Sequence, residues 1–152
     1  MRLVFGAALA ATLVLSTAAF ARGNDISPAD LAQLKSYTLS MDKIVAMQAA
    51  MDDAKKSGMS DKMKNIGDNA QSLAQMEANV KAMPGAMAIF ARHGLSPHDV
   101  VAMPLALMDA GMCVAYPSVA PKLADRVSPV QIAFYQQHQA ELKKMKWLGA
   151  SD

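Results

Sequence analysis

Three stretches of this chain open a helix in the same way: Ser27-Pro28-Ala29-Asp30, Ser96-Pro97-His98-Asp99 and Ser128-Pro129-Val130-Gln131. In each, the serine hydroxyl is placed to accept an orphan backbone N–H, and proline takes the first helical position, where its missing N–H costs nothing. Asp or Gln at the third position can bond back to the serine N–H, as in a capping box. The spacing of the three starts is irregular, so they read as convergent caps and not as a repeat. Helix ends are equally plain. Ser57-Gly58 closes a helix through Met41, Ile44, Met47, Ala50 and Met51, and His93-Gly94 forms a left-handed C-cap after residues 84–92. Residues 59–69 read as a loop or weak turn, after which Asp68 or Asn69 opens a helix through Leu73, Met76, Glu77 and Val80. Sustained period-two alternation is missing, whereas strong helix formers (Ala, Met, Leu, Lys, Gln) abound. The expected fold is all-α: a single-domain bundle of five or six helices.

That domain is expected to span residues 22–152. Residues 1–21 read as a secretory signal peptide: Arg2 supplies a positive start, Leu3 to Leu15 an apolar stretch, and Ala19-Phe20-Ala21 a small-residue cleavage signal. The expected location is periplasmic or secreted, with no membrane span left after cleavage. Removing 21 of 152 residues leaves a domain of ordinary size. Losing Arg2 from 15 basic residues set against 13 acidic ones leaves a net charge of about +1. The remaining charges are scattered, with Lys55-Lys56 and Lys143-Lys144-Lys146 the densest clusters. Nucleic-acid binding needs a concentrated basic face, so it is excluded from the expected partners.

The helix opened by Ser96 carries Val100, Val101, Met103, Leu105, Leu107, Met108, Met112 and Val114, which cover almost its whole circumference. A helix apolar on every side is buried among others or spans a membrane. Asp109 interrupts the run, and residues 100–115 are short for a span. This is therefore the expected central helix. Pro104 removes one of its backbone hydrogen bonds and is expected to kink it near Val100. Asp109 and Cys113 stand four apart on one side of it, near His98 and Tyr116 in angle, which outlines a candidate polar pocket. A neighbouring carboxylate raises a thiol's pKa, which is the reverse of what a nucleophilic cysteine needs. Asp109 is accordingly expected to bond a loop, Arg92 or Arg126, with Cys113 as an inert core thiol or a link between chains.

Thirteen methionines suggest a second chemistry. Met47/Met51, Met59/Met63, Met83/Met87 and Met108/Met112 are i,i+4 pairs in which two thioethers could bind Cu(I), with Cys113 or a histidine as partner. Methionine at that spacing is also ordinary core filler, and the core reading is preferred. On the last helix Val130, Phe134, His138, Leu142 and Met145 share one face. His138 could there ligate haem opposite Met41 or Met47, although a half-buried histidine bonded to Gln, Tyr or backbone is the preferred account. No C-x-x-C-H for covalent haem occurs, nor any Gly-rich phosphate loop, G-x-S-x-G, H-E-x-x-H or C-x-x-C, so no catalytic residue is assigned.

Three stretches, YTLSMDKI (37–44), HGLSPHDVVAMPLALMDA (93–110) and VSPVQIAFYQQHQAEL (127–142), resemble a group of small exported helical bacterial proteins of unknown function. That group shares an L-[TS]-x-[DE]-[KR] stretch, a G-L-[TS]-P turn before an apolar helix, and a final helix containing Asn or Gln. His98-Asp99, where an Arg-Glu-like pair would stand, and Pro104 depart from it. The resemblance implies export and an all-α fold and transfers no site. The expected function is non-catalytic binding of a partner protein or small apolar ligand, with copper or non-covalent haem as the alternative cofactors. Mass spectrometry of protein recovered outside the cytoplasm of an expressing bacterium is expected to show Arg22 as the first residue. An uncleaved chain would remove the leader reading.

Overall fold

A computed structural model describes residues 26–148 apart from residue 68, so the leader and its cleavage site lie outside the described residues. Within it run α1 (Pro28–Ser36), α2 (Met41–Lys56), α3 (Ser60–Met63), α4 (Leu73–Lys81), α5 (Pro84–Arg92), α6 (Pro97–Ala115) and α7 (Pro129–Leu142). Turns of 3₁₀ type occupy Lys64–Gly67, Pro117–Leu123 and Lys146–Leu148. No strand occurs among the described residues.

The helix starts follow from their caps. Ser96 and Asp99 form a reciprocal capping box, as do Ser128 and Gln131. At Ser27 the hydroxyl accepts the Asp30 N–H at 3.1 Å. Gly58 and Gly94 take φ of +70° and +71°, the left-handed geometry that ends α2 and α5 and that a side chain would strain. Two sequence expectations need correction. The segment after Gly58 contains a full α turn, α3, so the described residues hold seven α-helices where five or six were expected. Helix α4 opens at Ser72, whose hydroxyl accepts the Gln75 N–H, and not at Asn69, which sits at φ +58°. A left-handed residue turns the chain but cannot begin a right-handed helix.

Helix α6 is the centre: α1, α2, α4, α5, α7 and the 117–123 turn all pack against it. Val100, Ala102, Met103, Ala106, Leu107 and Ala110 are buried on it, against a core that includes Leu34, Ile44, Leu73, Val80 and Phe90. By length and composition α6 could cross a bilayer, yet 61% of that window is buried inside the bundle. It runs unbroken through Pro104, whose missing N–H leaves the Val100 carbonyl without its usual intrahelical donor. Burial is not complete around its circumference, however. Met108 and Met112 are each 40% exposed, so an apolar helix that reads as buried on all sides is open along one stripe.

The N-terminus of α6 is fastened by Asp99, which is only 5% exposed. Its Oδ1 accepts the Tyr37 hydroxyl at 2.8 Å and the Lys43 ammonium at 2.6 Å. Its Oδ2 accepts the Ser96 hydroxyl at 2.8 Å and the Ser96 N–H at 3.0 Å. One carboxylate therefore binds the α1–α2 connection, α2 and its own helix cap. From the far side, the Gln131 side-chain amide donates to the carbonyls of Leu34 (2.7 Å) and Tyr37 (2.9 Å), tying α7 to the same connection. Burial alone would raise the Asp99 pKa, but the Lys43, Ser96 and Tyr37 hydrogen bonds outweigh it and bring it down to about 2. Tyr37 is pushed the other way, chiefly by burial and then by its bond to Asp99 and that group's charge.

A lowered carboxylate contributes stability above its unfolded pKa and loses it as pH falls through the folded value. Asp99 should thus contribute about 2 kcal/mol above pH 4, lost between about pH 4 and 2. Urea titrations across that range are expected to show this loss in the wild type and a much smaller one in Asp99→Asn, which starts less stable by a similar amount at neutral pH.

Candidate functional site

The four residues of the sequence-derived polar pocket are not brought together. His98 lies in the first turn of α6 and Asp109 eleven residues on, a separation of about 16 Å along the axis. The His98 Nδ1 lies 2.8 Å from Glu77 Oε1 on α4, and its ring stands 5.7 Å from that of Tyr37. Asp109 and Cys113 do share one side of the helix, both buried, while Tyr116 is 58% exposed. Asp109 has found its partner in Arg126, whose Nε donates to Oδ2 at 2.6 Å. Both side chains of this pair are largely buried, and together they pin the loop after the 117–123 turn to α6. Ala110, Cys113 and Val127 form a small second core beside it, packed with Leu123 and Ile132. Burial raises the Asp109 pKa and the Arg126 charge and hydrogen bond only partly oppose it. Burial likewise raises the Cys113 thiol, and the Asp109 charge adds to that. These are the properties of a structural ion pair and an unreactive thiol.

His138 is engaged by its own helix: its ring lies 4.6 Å from that of Phe134, and its Nδ1 3.6 Å from Glu141 Oε2. Of the expected inward face of α7, Leu142 is buried and Phe134 and Met145 pack against the core, but Val130 is 77% exposed. Gln131 is buried in its place, reaching the Leu34 and Tyr37 carbonyls. Among the methionines, Met47, Met63, Met76 and Met103 are core residues, and Met41, Met51, Met59, Met83, Met87 and Met145 pack against the core. Only in the Met108/Met112 pair are both members exposed. No group of three or more His, Cys, Asp or Glu is placed to hold a metal among the described residues.

That methionine pair faces a groove. Pro104, Met108 and Met112 recur at i,i+4 along the open stripe of α6, with Leu107 and Gly111 beside them. Tyr135 and Leu142 of α7, Lys143 at its C-cap and Leu148 of the last turn form the other wall. The enclosed volume is about 380 Å³. Gly111 sets how closely the two helices approach: a Cβ there would meet the Tyr135 ring at 3.0 Å. A second depression of about 330 Å³ lies at the other end of α7, between Tyr37, Leu39, Val130 and Phe134. Sequence reasoning had singled out Met108 and Met112, but for a metal. It did not join them to Gly111, Tyr135, Lys143 or Leu148, which carry no motif and, apart from Gly111, belong to other elements.

No protein-family model matches this chain, and comparison with curated proteins and with solved structures gave no match either.

Native protein is expected to leave Cys113 unmodified by an aromatic disulfide reagent, with one thiol titrating only after denaturation. Arg126→Ala should cost about 3 kcal/mol in chemical denaturation, because it strands a buried carboxylate. The double change Asp109→Asn/Arg126→Gln should cost less than that single one.

Proposed function

We propose that this chain is an exported, non-catalytic domain that binds a small apolar ligand in the groove between α6 and α7. One observation carries the reading. The most apolar helix of the bundle, enclosed along most of its surface, leaves Pro104, Met108 and Met112 uncovered over a cavity walled by Leu142, Leu148 and the Tyr135 ring. Small-molecule sites are concave and mostly apolar, with few polar groups and volumes of about 300–1,000 Å³. Methionine suits such a wall because its unbranched, polarisable side chain adapts to the shape presented to it. The polar clusters elsewhere support a binding role over catalysis. Asp99 and Asp109 have donors on them already, and Cys113 is buried beside a carboxylate. Export rests on the three-part pattern of residues 1–21 and on the resemblance of the three stretches.

A second reading has one observation in its favour: the paired, exposed thioethers of Met108 and Met112 offer two soft ligands to Cu(I).

A neutral fluorescent probe such as N-phenyl-1-naphthylamine is expected to bind the purified protein at one site with blue-shifted emission. Met108→Asp should weaken this at least tenfold while leaving the fold intact by circular dichroism. The double variant Met108→Leu/Met112→Leu separates the two readings. It should keep the probe, and any Cu(I) affinity that depends on thioether sulfur should vanish. Probe binding unchanged in Met108→Asp would sink the groove reading.

A further inference from the structure

The groove is apolar along its length but not at its rim. Two residues with polar ends line it, Tyr135 and Lys143, and neither side chain has a hydrogen bond or ion pair among the described residues. Lys43, Lys35 and Lys56 are engaged elsewhere, with Asp99, the Ala124 carbonyl and Asp53, and of the lysines left without a partner among the described residues Lys143 is the one that lines this groove. No Asp or Glu lines the groove among the described residues, so the one charge on its wall is positive and uncompensated. Lys143 is the C-cap residue of α7, where the negative end of the helix favours a cation without pairing it. A lysine at such a rim can lay its aliphatic stem on apolar surface and keep its head at the water boundary.

Building on the apolar-ligand reading, we propose that the groove takes a single-chain amphiphile with an anionic head group, of the fatty-acid class. The acyl chain lies along Pro104, Met108, Met112 and Leu148. The carboxylate meets the Lys143 ammonium at the C-terminal end of α7. Charge complementarity selects the head, and the cavity selects the tail. A volume of about 380 Å³ is at the small end for ligand sites, which suits a single chain.

Isothermal titration of the purified protein with decanoate, decanol and decyltrimethylammonium, all below their micelle concentrations at pH 8, tests this. Decanoate is expected to bind about five- to tenfold more tightly than decanol, and the cation most weakly. Lys143→Gln, at an exposed position, should bring decanoate down to the decanol affinity while leaving decanol unchanged. Tyr135→Phe, about two turns away from Lys143 on α7, should leave the difference unchanged. Equal affinities for all three, or a preference that survives Lys143→Gln, would overturn the head-group assignment and leave the apolar groove standing. Failure of every ligand to bind would overturn both.

Discussion

The whole bundle hangs on how one carboxylate distributes four hydrogen bonds. Asp99 sits at the third position of the central helix, where its side chain can cap that helix and still reach outward. One oxygen is used locally, on the Ser96 hydroxyl and N–H, and the other is used on Tyr37 and Lys43, more than fifty residues away in the chain. A buried charge is tolerated only when it is fully paired, and here the pairing fixes where α1 and α2 sit relative to α6. Gln131 then secures α7 to the same connection through two backbone carbonyls. The three stretches on which the sequence resemblance rests therefore meet at one place in the fold.

Local grammar was legible because its physics is local. The Ser-Pro starts, Gly58 and Gly94 act through backbone groups within a few residues, and the structure places each where a reader of the sequence would. Met59 to Asn69 was harder, since a four-residue helical turn is held by its surroundings and has little pattern of its own. The opening of α4 was missed because Asn69 and Ser72 both look like caps, and only backbone geometry tells them apart. On α7 the apolar face held from Phe134 to Leu142 but gave way at its first turn, where Gln131 turns inward to donate to the Leu34 and Tyr37 carbonyls and Val130 is left exposed.

The groove was only half visible beforehand, for a different reason. Periodicity shows where a helix is apolar, but it does not show which stripe the neighbours will leave uncovered. On α6, Val100, Met103 and Leu107 are buried while Met108 and Met112 stay 40% exposed, although nothing in their apolar pattern separates them. The opposite wall comes from α7 and the last 3₁₀ turn, more than twenty residues later. Asp109 was the better-behaved case. A lone carboxylate in an apolar run demands a cation, Arg126 was among the few available, and the two meet at 2.6 Å.

That same carboxylate has a consequence for the chain before it folds. By length and composition the 19 residues of α6 are apolar enough to cross a bilayer, so before folding the segment has a choice between lipid and water at any membrane it meets. An acidic side chain near the middle of such a segment raises the cost of insertion by about 2.5–3.5 kcal/mol. Asp109 stands in the second half of the helix, where that penalty tips the segment towards water. Arg126, seventeen residues further on, then neutralises the charge once the loop closes. The residue that makes the extended segment costly to place in lipid is thus the same one that, once paired, clasps the loop to the folded core.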